Sequence, residues 1–222
     1  MIPDNTPVKQ RLHITFGKFD ALRYTSNLDV AKLWERVLRR AGLPILYSAG
    51  FNPRPRLQLA SALPLGISSE CEILDVALRE PVALDGLVER LAAVSPPGLR
   101  VITINAVPVR SPALQTRVRS AEYRVRFLDL EAVDQDALRA RVQALLAAGA
   151  VDAQRERKGR SMTVDLRPLI YDVYVDEQSD LIAHLAVGDF GNVRPDELLA
   201  ELDLAEQPVS VHRFRLHLAE IE

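Results

Sequence analysis

The sequence predicts an α+β protein whose two halves each run β-α-β-β-α-β. Strand-like alternation and helix-like apolar stripes follow one another in this order in the first half, and the order returns in the second. It is the order of the ferredoxin-like fold, so we expect two such halves with antiparallel sheets. We place a flexible lead-in at 1–10, domains at 11–108 and 120–222, and a linker at 109–119. The stretch around this linker, 108–120, has two prolines and no acidic residue.

The first strand and helix of the chain carry the clearest patterns. "RLHITFGKF" (11–19) alternates Leu12, Ile14 and Phe16 with polar residues, as a half-buried strand does. Ser26 and Asp29 resemble a capping box at the start of a helix. One apolar stripe then follows at helical spacing, which predicts a helix over 29–41 with these core residues: Val30, Leu33, Trp34, Val37, Leu38 and Ala41.

The remaining elements of the first half are shorter. "PRLQLASAL" (55–63) is a weak strand candidate and "ECEILDVAL" (70–78) a stronger one. "ALDGLVERLAAV" (83–94) has a helical stripe that "PPG" ends, and "LRVITINAV" (99–107) reads as the last strand.

The second half repeats this order with an extra strand. It contains a strand at 121–130, a helix at 133–149 and a hairpin around "RKGR". Strands "LIYDVYVD" and "LIAHLAVG", the short helix "RPDELLAEL" and the strand "VSVHRFRLHLAEI" complete it. The repetition lies in the order of elements, since no residue-level repeat is visible.

The amino-acid composition limits the functions that the chain can have. The chain of 222 residues has 48% hydrophobic residues and a formal net charge of −2, so nucleic-acid binding requires a local basic patch. The single cysteine, Cys71, and four dispersed histidines predict no metal, no iron–sulfur cluster and no cofactor. We expect a cytoplasmic protein with no membrane partner, because neither a signal peptide nor an 18-residue apolar run is present.

The stretch "YSAGFNPRPRLQLASALPLG" (47–66) is the main candidate site. Residues 36–69 hold five arginines and no acidic residue, and the prolines and glycines stiffen the loop. We predict an anion or RNA-backbone site, with arginines for phosphates and aromatic rings for stacking. Its candidate residues are Arg36, Arg39, Arg40, Tyr47, Ser48, Gly50, Phe51, Asn52, Arg54 and Arg56.

Explanations that require no ligand also remain open for these arginines. Arginine near a helix C-terminus is favourable without any ligand, and the loop can be a plain connector. Glu70, Glu72 or Asp75 on the next strand could instead pair with the arginines.

A second basic segment lies at the predicted hairpin. Lys158, Arg160 and Arg167 are further anion-binding candidates, since "RERKGRSMTVDLRPLI" carries five basic residues against two acidic ones. The alternative is an ordinary solvated hairpin tip.

No enzyme motif is present. The sequence has no phosphate-binding loop, metalloprotease or nucleophile-elbow signature. His13 could act as a general base on RNA, but a lone strand histidine is more often structural. We therefore expect no catalytic residue.

Four segments carry a resemblance to a known family. "FxKxxxLRYTSNLD", the segment from "WERVLRRAG" through "YSAGFNPRP…ALPLG", "RKGR…VDLRPLI" and "GxxGNVRPDELL" resemble the radical-SAM-linked proteins over about residues 11–218. These are bacterial proteins of unknown function encoded beside, or fused behind, a radical SAM enzyme. The family usually has histidine after the serine of its first motif, where this chain has Asn27. The resemblance implies a radical SAM enzyme as partner and, through neighbouring ribonuclease E/G genes, an RNA context.

Three functions follow as hypotheses. The first is a non-enzymatic accessory module that binds substrate for the radical SAM enzyme, with structured RNA as the candidate substrate. The second is a metal-independent RNA endonuclease of tandem ferredoxin-like type. The third is a protein-only adaptor that docks onto the partner enzyme. Salt-dependent RNA binding, RNA cleavage and a stable complex without nucleic acid would distinguish them.

Overall fold

A computed structural model of the chain describes residues 7–157 and 159–220. It has a mixed α+β fold with few helices and mostly antiparallel strand pairing. The described residues form two compact units. Unit 1 holds residues 7–118 with 219–220, and unit 2 holds Arg119–Leu218.

Unit 1 contains one antiparallel four-stranded arrangement in the order β4-β1-β3-β2. Its strands are β1 (Gln10–Lys18), β2 (Leu57–Leu59), β3 (Ser68–Leu78) and β4 (Leu99–Val107). The predicted strand at 55–63 is thus reduced to three residues. Asp75 on β3 pairs with His13 on the neighbouring strand β1 and with Gln58 on the neighbouring strand β2. Because paired residues lie on the same face of a sheet, all three face away from the core.

The core of unit 1 lies between the sheet and the helices α1 (Asn27–Arg40) and α2 (Leu87–Ala92). Ser26 caps α1 as predicted, because its hydroxyl accepts a hydrogen bond from the Asp29 amide at 3.2 Å. The predicted stripe of α1 is confirmed: Trp34 is 0% exposed, and only Leu33 is merely half-buried. The Trp34 ring meets Phe16 edge-on with 5.0 Å between centroids.

The predicted linker at 109–119 is more structured than a flexible connector. It contains helix α3 (Leu114–Arg117), and strand β5 (Val118–Phe127) begins inside it. Leu114 is fully buried, and the Arg11 guanidinium donates hydrogen bonds to the carbonyls of Ser111 and Pro112. The proline-rich composition concealed these anchors, because they depend on Arg11, about one hundred residues earlier in the chain.

Unit 2 has the sheet order β10-β5-β9-β8, with β5 and β8 antiparallel to β9. Its later strands are β8 (Ile170–Val175), β9 (Leu181–Ala186) and β10 (Val209–Leu218), and its helices are α4 (Gln135–Ala147) and α5 (Pro195–Glu201). The predicted hairpin is present as a separate two-stranded sheet formed by β6 (Asp152–Arg157) and β7 (Arg160–Asp165), so the second half has two extra strands and not one.

One ion pair ties this β6–β7 hairpin to α5. The Arg155 guanidinium donates to both carboxylate oxygens of Glu197, at 2.6 and 2.8 Å, and also to the Asn192 carbonyl. Charge-assisted bidentate pairs of this kind are the stronger side-chain hydrogen bonds. Arg155 is therefore an anchor of the hairpin.

Candidate functional site

The loop after α1 is closed at its base by its own hydrogen bonds. The Ser48 amide donates to the Arg54 carbonyl at 2.7 Å, and the Arg54 amide donates to the Ser48 hydroxyl at 2.9 Å. Gly50 at the tip has φ +115°, which a residue with a side chain rarely adopts. The amides of residues 49–52 donate to no acceptor in the described part of the chain. The loop thus presents free backbone donors on a closed base.

Beside this loop lies a cleft of about 480 Å³ within unit 1. Arg54, Arg56 and Gln58 are two residues apart, so their side chains project to the same side of the extended chain. That side also carries Asp75 and Arg11, which lie on adjacent strands. We call this the arginine cleft, and define it by these residues: Arg11, Ser48, Arg54, Arg56, Gln58 and Asp75.

The one carboxylate in the arginine cleft is already paired. Arg11 Nε lies 2.8 and 3.0 Å from the two oxygens of Asp75, and Arg11 Nη2 also donates to Asp75. These hydrogen bonds raise the pKa of Arg11 above its usual value. Asp75 is 6% exposed. It is thus committed to Arg11, which decides against the alternative that Asp75 neutralises the loop arginines.

Arg54 and Arg56 are exposed and form no ion pair with any described residue. Two guanidinium groups consequently line the arginine cleft without a carboxylate partner. Guanidinium groups bind phosphate oxygens through paired N–H donors. The cleft therefore has the composition of an anion site.

The other candidates of this region lie apart from the arginine cleft. Arg36, Arg39 and Arg40 are exposed on α1 and form no ion pair with described residues, but they do not line the cleft. Phe51 and Asn52 are exposed at the loop tip.

Tyr47 has a structural contact of its own. Its ring packs against the core of unit 1 and its hydroxyl donates to Glu35 at 2.9 Å, while burial raises its pKa. Phe51 is therefore the more accessible of the two rings proposed for stacking.

The hairpin candidates belong to unit 2. Arg160 is exposed, and Lys158 lies outside the described residues. Arg167 is half-buried and its donors are used: it donates to the Leu146 carbonyl at 3.1 and 2.9 Å and to the Ile170 carbonyl at 2.7 Å. Arg167 joins the end of α4 to the start of β8, which removes it from the candidate anion site.

We expect Arg167→Ala to lower the free energy of unfolding by about 1–3 kcal/mol, because it leaves main-chain carbonyls without their donor. Urea denaturation measures this change. Arg160→Ala is the matched control and should be neutral within about 0.5 kcal/mol. Equal effects of the two substitutions would contradict a structural role specific to Arg167.

His13 lies on β1, opposite Asp75 and two residues after Arg11. Its side chain is 11% exposed, and its Nε2 is 4.0 Å from Asp75 Oδ2, beyond hydrogen-bond distance. Burial is the main reason why the pKa of His13 is lowered. A buried imidazole without a hydrogen-bonded orienting partner gives little support to general-base catalysis on RNA.

Sequence reasoning missed Arg11 and Gln58, and it named Asp75 only as a possible partner of the loop arginines. The alternation of β1 already placed Arg11 on its polar side, but only the register of β1 and β2 with β3 brings these residues together. It also treated the histidines as isolated, whereas the rings of His184 and His217 lie 4.9 Å apart.

Within residues 7–157 and 159–220, no group of three or more histidine, cysteine, aspartate or glutamate side chains could hold a metal ion. Nor does any helix in that part of the chain have the length and apolar character needed to span a membrane.

Comparison with known proteins gives one family and a distant structural likeness. A family described as "Uncharacterized protein conserved in bacteria (DUF2344)" matches residues 11–195. No curated protein matches the chain. Among solved structures, a chain of "Crystal Structure of a Cbf5-Nop10-Gar1 Complex" is similar, with 14% identity and a TM-score of 0.47. The match covers 92% of this chain and 48% of that one, so this chain spans about half of its length.

Proposed function

The chain belongs to this uncharacterised bacterial family, and from that premise we propose that it is a non-enzymatic module that binds RNA on behalf of a partner enzyme. The observation that carries the proposal is the pair Arg54 and Arg56. Both line the arginine cleft, and neither has a carboxylate partner among the described residues. A phosphodiester backbone is a ligand whose negative charges such a pair can bind.

The mechanism we propose is capture of phosphates at the arginine cleft. Arg54 and Arg56 bind phosphate oxygens, and the free amides of residues 49–52 add neutral donors. Phe51, fully exposed at the loop tip, offers a ring for a neighbouring base. Because Ser48 and Arg54 close the loop base, little conformational freedom is lost when RNA binds.

The identity of the partner rests on sequence likeness. The motifs shared with the radical-SAM-linked proteins support a radical SAM enzyme as the partner. In this proposal the partner carries out the radical chemistry, because one cysteine cannot supply the thiolates of an iron–sulfur cluster.

We also propose that each unit is a ferredoxin-like half. The strand orders β4-β1-β3-β2 in unit 1 and β10-β5-β9-β8 in unit 2 support this. When the β6–β7 hairpin is left out of the count, each order places the first strand of its unit between the third and the last. The β6–β7 hairpin is then an insertion into the second half.

The test is the double substitution of Arg54 and Arg56 with alanine. We expect the affinity for a structured RNA to fall and the slope of log K against log salt to flatten by up to about 2, because two phosphate contacts are lost. Thermal stability should be nearly unchanged, since both side chains are exposed. Fluorescence anisotropy across a salt series measures the slope.

The matched control replaces Arg90 and Arg100 with alanine. Both are exposed in unit 1, outside the arginine cleft, and their loss changes the net charge by the same amount. If both double variants weaken binding equally, the effect is only that of total charge. If the Arg54 and Arg56 variant unfolds several degrees earlier with unchanged affinity, the arginines are structural and the proposal fails.

A further inference from the structure

A row of rings crosses the polar face of the sheet in unit 2. We call Tyr171, His184 and His217 the aromatic row. The centroids of Tyr171 and His184 are 5.1 Å apart, and those of His184 and His217 are 4.9 Å apart. These residues come from β8, β9 and β10. Distant parts of the sequence thus converge on one continuous ring surface.

A β-bulge aims Tyr171 at this surface. Ile170 lies opposite Leu185 and Asp172 lies opposite His184, so Tyr171 is an extra residue on β8. Ile170 is buried, whereas Tyr171 is 51% exposed and meets His184 edge-on. Tyr174, further along the same strand, is 50% exposed. Two tyrosine rings on β8 are therefore open to a ligand.

Hydrogen bonds hold the histidine rings of the row in place. His184 Nε2 lies 2.7 Å from the Ser120 hydroxyl, and His217 Nε2 lies 2.8 Å from Glu122 Oε1. Burial, followed by the charge of His217, lowers the pKa of His184, which favours its neutral ring near neutral pH. A fixed row of rings needs little ordering before a flat ligand stacks on it.

Three arginine side chains with exposed guanidinium groups lie on strands β5 and β10 of the same sheet. The side chains of Arg124, Arg126 and Arg215 are 45%, 61% and 62% exposed. Their partners lie beneath them: the carboxylate side chain of Asp180 is 4% exposed and that of Glu122 is 19% exposed. Asp172, beside the row on β8, is exposed as well. Each of the three arginines is thus paired with a more buried carboxylate, and the exposed part of its side chain can still reach a phosphate oxygen.

We propose that the aromatic row is a stacking platform for unpaired bases of single-stranded RNA, with the surrounding arginines contacting its backbone. This inference rests on the proposed function, and it narrows the ligand to RNA that has accessible bases. A base presents a flat π-face whatever its identity, so such a platform gives affinity with little sequence preference.

The test uses a 12-nucleotide single-stranded RNA that carries 2-aminopurine, and a second RNA of the same length with abasic sites at its centre. We expect wild-type protein to quench the 2-aminopurine fluorescence on binding. Tyr171→Leu should reduce that quenching and weaken affinity for the first RNA about 5- to 150-fold, the range for loss of one stacked ring. It should leave affinity for the abasic RNA unchanged. Tyr171→Phe should behave as wild type.

Two further variants serve as a control and as a second test of the platform. Tyr24→Leu removes a tyrosine of unit 1 that is 62% exposed, and it should leave the quenching unchanged. Tyr174→Leu is the second test of the platform if Tyr171→Leu fails to fold. It should weaken binding to the 2-aminopurine RNA more than binding to the abasic RNA.

The outcomes separate the two proposals. RNA binding that depends on Arg54 and Arg56, without quenching and without an effect of the tyrosine substitutions, overturns the platform and leaves the arginine cleft standing. Quenching that is reduced in Tyr171→Leu but kept in the Arg54 and Arg56 variant supports the platform, and unchanged affinity of that variant for structured RNA overturns the cleft. If neither single-stranded RNA binds the wild-type protein, the platform is overturned, and binding of structured RNA that depends on Arg54 and Arg56 leaves the cleft standing.

Discussion

Replacing Trp34 with alanine should lower the free energy of unfolding by about 3–5 kcal/mol. The indole is fully buried between α1 and the sheet of unit 1, edge-on to Phe16. Its removal leaves a cavity that surrounding side chains fill only in part, so lost burial and lost contacts add. Urea denaturation followed by circular dichroism gives the change directly.

Leu28→Ala is the matched control for this prediction. Leu28 lies on the same helix but is 75% exposed, so its truncation should change stability by no more than about 0.5 kcal/mol. A Trp34→Ala protein that loses less than about 1 kcal/mol would show that α1 does not pack as described.

The second large effect is expected at the Asp75–Arg11 pair. Asp75→Ala should lower the free energy of unfolding by about 3–5 kcal/mol, because it leaves a charged guanidinium unpaired. The Arg11 side chain is only 12% exposed and that of Asp75 only 8%. Arg11 also holds the Ser111 and Pro112 carbonyls, so its displacement would loosen the segment before α3.

A double substitution tests whether the unpaired charge is the cause. Arg11→Met combined with Asp75→Leu removes both charges and keeps much of the volume, so it should be less destabilising than Asp75→Ala alone. Thermal melts of Arg11→Met, Asp75→Leu and the double variant complete the double-mutant cycle. Additive losses would indicate that the two side chains act independently, against the bidentate geometry.

Local signals predicted most of the individual elements. The stripe from Val30 to Ala41 and the Ser26 cap are set by neighbouring residues, so α1 was predictable to within two residues of its start. The helix at Leu114 was not, because four residues between prolines and a strand carry no periodic pattern. Its formation depends on burial of Leu114, which is a tertiary effect.

The candidate site was predictable only in part. The stiff arginine loop follows from composition, but the partners of each arginine depend on strand register. Arg167 looked like a surface cation, yet its acceptor at Leu146 lies 21 residues earlier in the chain. Arg11 and Asp75 lie 64 residues apart, and no local pattern links them. The aromatic row was missed for the same reason.

The β6–β7 hairpin has a consequence for aggregation. As a two-stranded sheet, it has an unpaired outer edge on each strand within the described residues. Such edges recruit strands from other molecules unless charged residues blunt them. One end of this hairpin sheet carries Asp152 opposite Asp165, and among its described side chains Met162 is the large exposed apolar one. Like charges at a strand end oppose pairing with a second copy, so the hairpin carries a feature that works against edge-to-edge association.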